Sequence, residues 1–351
     1  MKKRTTLLLA GLLSVSMFAS CGKVANSAFS GTYWLEEHSA KNVQADFYER
    51  VEYDVAFSEP DDDFMPNLYE MSDDYLNFVV DDNYSSYVTE LYAENGLYVY
   101  HTLLTVVGRY TFGTLSYEVK DVTETITKFK GAEDNFACVE SKKIVSNAYP
   151  VTQRPTSDKD FAKVNAEISV TYDGKKAVVT TTAKDEASKS LLATMQKPVT
   201  IKKYETNKKK FIDNELMLLL FRNFSYDNTL SYTFNTIDTS DGVLKEINGA
   251  ARLPQATTDT TSQSAVRSFT IDSYIDDANY NPAPLKMNCF GVVFKTTGEY
   301  AQSFAYAYYA ESIEGGIPGA RPRHYMVKCF RPAIYNIGYF VYTIDTVTHS
   351  R

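Results

Sequence analysis

Cys21 is the residue with the best-defined chemistry in this sequence. It follows two small residues, Ala19 and Ser20, and precedes Gly22. Small residues at these positions let a signal peptidase reach the bond before the cysteine, whose thiol can then carry a diacylglycerol. The spacing therefore predicts that Cys21 is the lipid attachment site of a membrane-anchored chain.

A basic leader precedes this cysteine. Lys2-Lys3-Arg4 is followed by the apolar run Leu7 to Phe18, about a dozen residues where a membrane-spanning helix needs roughly 20. This order of charge, apolar run and small residues is typical of a signal peptide, although Cys21 could be incidental to an ordinary secretory signal. We expect residues 1–20 to be a lipoprotein signal peptide and residues 21–45 a lipid-anchored tether. The chain is then expected outside the cytoplasmic membrane, or at the outer membrane of a two-membrane cell.

The net charge limits the possible partners. Removing the leader cations Lys2, Lys3 and Arg4 from the formal net charge of −8 gives −11 for the remaining chain. A surface this acidic is repelled by phosphate backbones and anionic lipids, so we expect no nucleic-acid binding. The expected membrane contact is through the diacylglyceryl group on Cys21, because two acyl chains anchor a protein stably.

An acidic stretch occupies the first third of the chain. Thirteen Asp and Glu residues and no Lys or Arg lie between Val51 and Gly108. Such a cluster could bind Ca²⁺ or a basic partner, but Asp61-Asp62-Asp63-Phe64 lacks the alternate spacing and the glycine of a calcium loop. The favoured interpretation is solvated turns that face the basic segment Lys197 to Lys210.

The residues that usually perform catalysis are scattered. The four histidines have no zinc-ligand spacing, and they are His38, His101, His324 and His349. The sequence also contains no nucleophile elbow, phosphate-binding loop or Cys-x-x-Cys motif. We therefore expect a protein that is not an enzyme, with no catalytic residue, no cofactor and no metal site.

Strands dominate the pattern that must position any site. The chain has 27 Tyr and one Trp, and its runs rich in Tyr, Thr and Val favour sheet. Ile168 to Tyr172, the turn Asp173-Gly174 and Lys175 to Ala183 predict a hairpin, because Asp-Gly suits a two-residue turn. Near the C-terminus, Phe304, Tyr306 and Tyr308 alternate with small residues and form one aromatic strand face.

One helix stands out among these strands. Asp213 can cap it and Arg222 can complement the negative end of its dipole, so we predict a helix from Asp213 to Arg222. Its six residues from Leu216 to Phe221 are apolar on every side, so sheet or ligand must surround them. A weaker helix is predicted within Asp185 to Met195. The residues predicted to line a ligand are Leu216, Leu219, Leu220, Phe221, Phe304, Tyr306 and Tyr308.

These elements predict a mainly β fold, a large curved antiparallel sheet that forms an open half-barrel around one or two short helices. The sheet would build a single β-rich domain from residue 46 to residue 351. Cys289 and Cys329 lie in strand-like runs, and the sequence leaves open whether they form a disulfide.

Three short segments carry a resemblance to known families. They are Ser141-Lys142-Lys143, Asp213-Asn214-Glu215-Leu216 and Pro322-Arg323 before Tyr325-Met326-Val327-Lys328. The pattern resembles uncharacterised β-rich lipoproteins of anaerobic Gram-positive bacteria and, more distantly, the DUF3108 and LolA/LppX-like families. The resemblance implies a curved antiparallel sheet with helices on its concave side, where LolA-like members carry acyl chains.

The leading hypothesis is a lipid-anchored extracytoplasmic protein that holds a hydrophobic small molecule or lipid, apolar or amphiphilic, between sheet and helix. The alternative is a surface module that binds a glycan or protein through Tyr-rich and acidic loops, with the sheet as scaffold. A hydrolase is the third possibility.

Overall fold

The computed structural model describes residues 46–58, 76–131, 134, 136–174, 176–202, 204, 211–223, 231–239, 243–251, 266–271, 274–276, 285–297, 303–313 and 324–349. The first strands are β1 Tyr48–Ser58, β2 Asn77–Val80, β3 Ser86–Glu94, β4 Leu97–Phe112, β5 Leu115–Phe129, β6 Cys138–Pro150, β7 Phe161–Asp173, β8 Lys176–Ala183 and β9 Val199–Lys202. The later strands are β10 Ser231–Asp238, β11 Val243–Ala251, β12 Val266–Ile271, β13 Tyr274–Asp276, β14 Leu285–Thr296, β15 Ser303–Ile313, β16 Met326–Pro332 and β17 Tyr339–His349.

The helices are short. They are α1, Glu186–Leu191, and α2, Met217–Leu220. Single 3₁₀ turns lie at Asp82–Tyr84, Asp158–Asp160, Asn214–Leu216, Phe221–Asn223 and Ile334–Asn336.

All strands belong to one continuous sheet. Strands β3 to β9 form an antiparallel meander, and β14 to β17 form a second one. The first strand, β1, lies between β3 and β17 and pairs antiparallel with both, so it joins the two meanders. Strands β11 and β10 continue beyond β14, while the short β13 runs parallel to β17.

The two ends of this sheet curl toward each other. Ile168 and Val179, near one end, share a buried cluster with Ile237 of β10 at the other. Phe211 also forms a bridge to Asn235 of β10. No pairing joins β9 to β10 within the described part of the chain, so the sheet stays open. The mainly β prediction, an open curved antiparallel sheet around short helices, is therefore confirmed.

The predicted hairpin and helices are present. Strands β7 and β8 meet at Asp173 and Lys176 around Gly174, whose φ of +58° is the left-handed conformation that glycine accommodates. The helix predicted from Asp213 is α2 with a 3₁₀ turn before and after it, and Asp213 Oδ1 accepts the Glu215 N–H at 2.9 Å. The weaker predicted helix is α1, capped by Asp185.

Cys289 and Cys329 do not form a disulfide. Both side chains are buried, and neither sulfur belongs to a disulfide. Cys289 pairs with Ala310 and Cys329 with Ala307, so β15 lies between the two cysteine strands. Two strand spacings of about 4.8 Å add to roughly 9.6 Å between the two cysteine strands. This distance exceeds the usual Cα separation of a disulfide, which is roughly 4.4–6.8 Å.

Candidate ligand-binding cavity

The apolar helix predicted to contact ligand lies in the protein core. Leu216, Leu219, Leu220 and Phe221 expose at most 4 % of their surface. The Phe221 ring packs edge-on against Phe294, with 4.6 Å between centroids. The sheet therefore surrounds this helix, as its apolar circumference required.

The other predicted residues divide into two groups. Tyr306 and Tyr308 are buried, and their rings meet edge to face with 4.8 Å between centroids. The side chain of Phe304 lies outside the described structure, as do Cys21 with residues 1–45, the acidic residues 59–75 and most of the basic segment 203–210. The ligand-lining role of Phe304, Tyr306 and Tyr308 stays a prediction.

An open cavity lies elsewhere on the concave side of the sheet, with a volume of about 210 Å³. Strands β4 to β7 form one wall, and the turn between β16 and β17 forms the other. The apolar residues that line it are Leu104, Val106, Tyr110, Val145, Ala148, Tyr149, Val164, Ala166, Ile168, Leu192, Pro332, Ala333, Ile334, Phe340 and Tyr342. None of the seven residues predicted to line a ligand is among the described residues around it.

Strand alternation explains why this wall is apolar. Val164, Ala166 and Ile168 occupy alternate positions of β7, so their side chains point to one face of the sheet. Leu192, which ends α1, covers the same face. The wall is therefore built from strand residues that are distant in sequence from α2.

Polar groups interrupt this lining on one side. Lys143 of β6 and Arg331 of β16 both line the cavity, as does Asn214. Glu215 lies beside them, and its Oε1 accepts hydrogen bonds from Lys143 Nζ at 3.2 Å and from Asn214 Nδ2 at 3.0 Å. The cavity thus has an apolar wall with a cationic patch.

Asp121 of β5 also lines the cavity. Burial raises the pKa of its carboxyl group to about 7, although the hydrogen bond from Ala148 N–H, 2.7 Å from Oδ1, acts in the opposite direction. The carboxyl group therefore exchanges its proton near neutral pH, and it adds less negative charge to the cavity than an exposed aspartate would.

The turn between β16 and β17 reaches across the sheet to form the second wall. Tyr335, in left-handed conformation at φ +56°, donates its hydroxyl proton to the Pro150 carbonyl at 3.2 Å. At Gly338 a Cβ would lie 2.4 Å from the Ser58 carbonyl oxygen, so only glycine fits this close approach. The turn is thereby fixed to both β6 and β1.

Two of the four histidines, His101 and His324, have structural partners. His101 lies between Glu90 and Glu124, with ring nitrogens 3.3 and 2.9 Å from the carboxylate oxygens. His324 Nδ1 is 2.9 Å from the Arg222 carbonyl at the end of the helical segment. Within the described ranges no group of three His, Cys, Asp or Glu side chains is arranged to hold a metal ion.

A second depression, of about 570 Å³, lies where β2, β4 and β5 run side by side. Its charged lining residues are of both signs, namely Asp81, Asp82, Arg109, Glu118 and Lys120. This mixture favours no single ligand charge.

The described helices include none with the length and apolar character needed to cross a bilayer.

Sequence reasoning missed the three charged residues of the cavity. Lys143 and Arg331 lie in strands whose sequence does not distinguish these two positions from other half-exposed strand residues. Only for Asp121 did the sequence contain a usable signal. It follows the inward-facing Val119 by two residues and so falls on the buried face of β5.

Comparison with known proteins identifies no family for this chain. No protein-family model matches it, and no curated protein matches it. Among solved structures it is similar to a β-barrel-like protein of a domain of unknown function, DUF1849, from Brucella abortus. The TM-score is 0.45 at 9% sequence identity, over 87% of this chain and 98% of that one.

Proposed function

We propose that this protein binds an apolar or amphiphilic small molecule in the cavity between β4–β7 and the β16–β17 turn. The observation that carries the proposal is the open volume of about 210 Å³ lined mainly by apolar side chains. Water gains few hydrogen bonds in such a space, so an apolar group replaces it favourably. The filled core around α2 and the open space beside β7 favour the second location for the ligand.

The volume limits the size of the bound group. About 210 Å³ is more than the roughly 150 Å³ of an engineered cavity that admits benzene. It is less than the roughly 300–1,000 Å³ usual for drug-sized ligands. One aromatic ring system or one short acyl chain therefore fits inside, and a second ring of a larger probe can extend into the open mouth of the cavity. Two long acyl chains do not fit.

A neutral fluorescent probe tests this proposal. The mature chain, residues 21–351 without lipid, is titrated with N-phenyl-1-naphthylamine, which brightens in apolar surroundings. Thr123→Phe places a ring in the cavity, because Thr123 lines it. Val122→Phe is the matched control, because its side chain points to the opposite face of the same strand.

We expect saturable binding at one site per chain. Thr123→Phe should abolish it and Val122→Phe should leave it within twofold, with both variants folded by circular dichroism. No saturable binding by the unmodified chain would refute the proposal. Equal binding by Thr123→Phe would refute this location for the site.

The leader supports a proposed location for this activity. A diacylglyceryl group on Cys21 would hold the domain outside the cytoplasmic membrane, with residues 22–45 as spacer. Mass spectrometry of the chain recovered from membranes should show a diacylglycerol on an N-terminal Cys21. Cys21→Ala should remove the lipid and Cys138→Ala should not. A Cys21→Ala chain that still carries the lipid would contradict the anchor.

A further inference from the structure

We propose that the ligand is a single-chain carboxylate whose head group lies between Lys143 and Arg331. This inference rests on the proposed function, and it adds the chemical class of the ligand. The charge balance of the cavity, its volume and the division of its wall into a polar and an apolar part support this ligand class.

The two cations share one compensating carboxylate. Lys143 is paired with Glu215 at 3.2 Å, and the side chain of Glu215 is only 12% exposed. Arg331 makes no ion pair within 4 Å with any described residue. A half-buried guanidinium that shares the Glu215 charge with Lys143 is incompletely compensated, so an anion beside it is favourable.

Arg331 stays charged in this position. Burial lowers its pKa, but the nearby Tyr342, Cys329, Tyr87 and Glu215 raise it, and the net pKa lies above the ordinary value. Its planar donor fork suits a carboxylate, which can accept two parallel N–H bonds.

Asp121 does not supply the missing negative charge in full. With a pKa of about 7, its carboxyl group is largely protonated below neutral pH. Below neutral pH the remaining imbalance is therefore about one positive charge, which a carboxylate matches. A neutral head group would leave it, and a cationic head group would increase it.

The rest of the wall suits one hydrocarbon chain. Beyond the cations the lining continues through Val145, Ile168, Val164 and Ala166, which offer no charge. A ligand with one short chain and one terminal carboxylate therefore meets both parts of the wall within about 210 Å³.

Competition among three ten-carbon ligands tests the head group. Decanoate, decanol and decyltrimethylammonium displace bound N-phenyl-1-naphthylamine from the mature chain near pH 6, where Asp121 is largely protonated. We expect decanoate to bind about tenfold more tightly than decanol, and the ammonium compound to bind least. Decanoate no tighter than decanol would overturn the inference.

Charge-removing variants locate the contact. Arg331→Gln and Lys143→Gln should each weaken decanoate about tenfold while decanol and the dye change less than twofold. Lys142→Gln is the matched control, because Lys142 neighbours Lys143 but pairs with Glu167 at 3.2 Å. Arg331→Lys should retain part of the decanoate affinity. If both Gln variants weakened decanoate and decanol equally, the head-group assignment would be wrong.

Binding of the dye distinguishes a failure of the proposed function from a failure of the carboxylate inference. If the dye and decanol fail to bind the unmodified chain, the proposed function fails and this inference fails with it. If both bind and decanoate shows no preference, the cavity is a binding site and the carboxylate inference alone is wrong.

Discussion

Arg222 and Glu49 form a buried two-pronged ion pair, with Nη1–Oε1 at 2.6 Å and Nη2–Oε2 at 3.1 Å. Their side chains are 6% and 2% exposed, and 173 residues separate them in sequence. The pair ties the end of the helical segment to β1, the strand that joins the two meanders. Arg222, which is predicted to complement the negative end of the helix dipole, thus has the Glu49 carboxylate as its partner.

Removing one partner of this pair should destabilise the protein strongly. Glu49→Gln leaves the Arg222 charge buried without its carboxylate, so the free energy of unfolding should fall by about 3–5 kcal/mol. Denaturant unfolding measures the change. Lys189→Met is the control, because its partner Glu186 is 89% exposed, and it should change stability by less than about 1 kcal/mol. Equal effects from the two variants would contradict a structural role for the buried pair.

Gly249 should not tolerate a side chain. A Cβ at this position would lie 2.3 Å from the Phe221 ring, which is fully buried and cannot withdraw. Gly249→Ala should therefore cost about 1–3 kcal/mol of unfolding free energy. Adding Phe221→Leu to Gly249→Ala should cost less than the sum of the two single changes. Strict additivity would show that the ring and the glycine are not in contact.

Asp121→Asn should change how stability depends on pH. The carboxyl pKa rises from 3.8 to about 7 on folding, so between these values the folded chain keeps a proton that the unfolded chain releases. This group therefore lowers the free energy of unfolding as pH rises from about 4 to 7, and its cost is complete above that range.

The variant keeps an oxygen for the Ala148 N–H and carries no charge. We expect Asp121→Asn to be more stable than the natural chain by about 2 kcal/mol near pH 8, after allowance for partial exposure, and nearly equal near pH 4. Urea unfolding at both pH values measures this. Asp160→Asn should act in the opposite sense, because backbone hydrogen bonds from Thr156 and Ser157 lower the pKa of that exposed carboxylate. A pH-independent difference for Asp121→Asn would contradict the buried carboxyl.

Tyr335→Phe should loosen the wall formed by the β16–β17 turn. The change removes the hydroxyl that donates to the Pro150 carbonyl at 3.2 Å. We expect a loss of about 0.5–1.5 kcal/mol in stability and severalfold faster release of N-phenyl-1-naphthylamine in stopped-flow experiments. Tyr84→Phe, at a position 70% exposed, should change neither. Unchanged release from Tyr335→Phe would show that the turn does not control access.

Local sequence patterns predicted strands and helices of this fold, but they did not predict where the cavity lies. The Asp173-Gly174 hairpin and the capped segment after Asp213 depend on neighbouring residues, so sequence reveals them. Whether the apolar helix borders a ligand or fills the core depends on contacts such as that of Phe221 with Phe294, from distant strands.

The cavity depends on distant contacts in the same way. Lys143 lies on β6 and Arg331 on β16, and only the curvature of the sheet brings both to one cavity. Likewise, β15 between the strands of Cys289 and Cys329 excludes their disulfide, and strand order cannot be read from the spacing of two cysteines.

A crystal structure with a heavy-atom ligand tests the binding site most directly. Crystals of the mature chain are soaked with 10-bromodecan-1-ol, a neutral chain whose bromine gives an anomalous signal independent of the head-group inference. We expect a bromine peak between β7 and the β16–β17 turn, beside Val164, Ala166 or Ile334. A peak beside Leu216 to Phe221, or none inside the sheet, would contradict it.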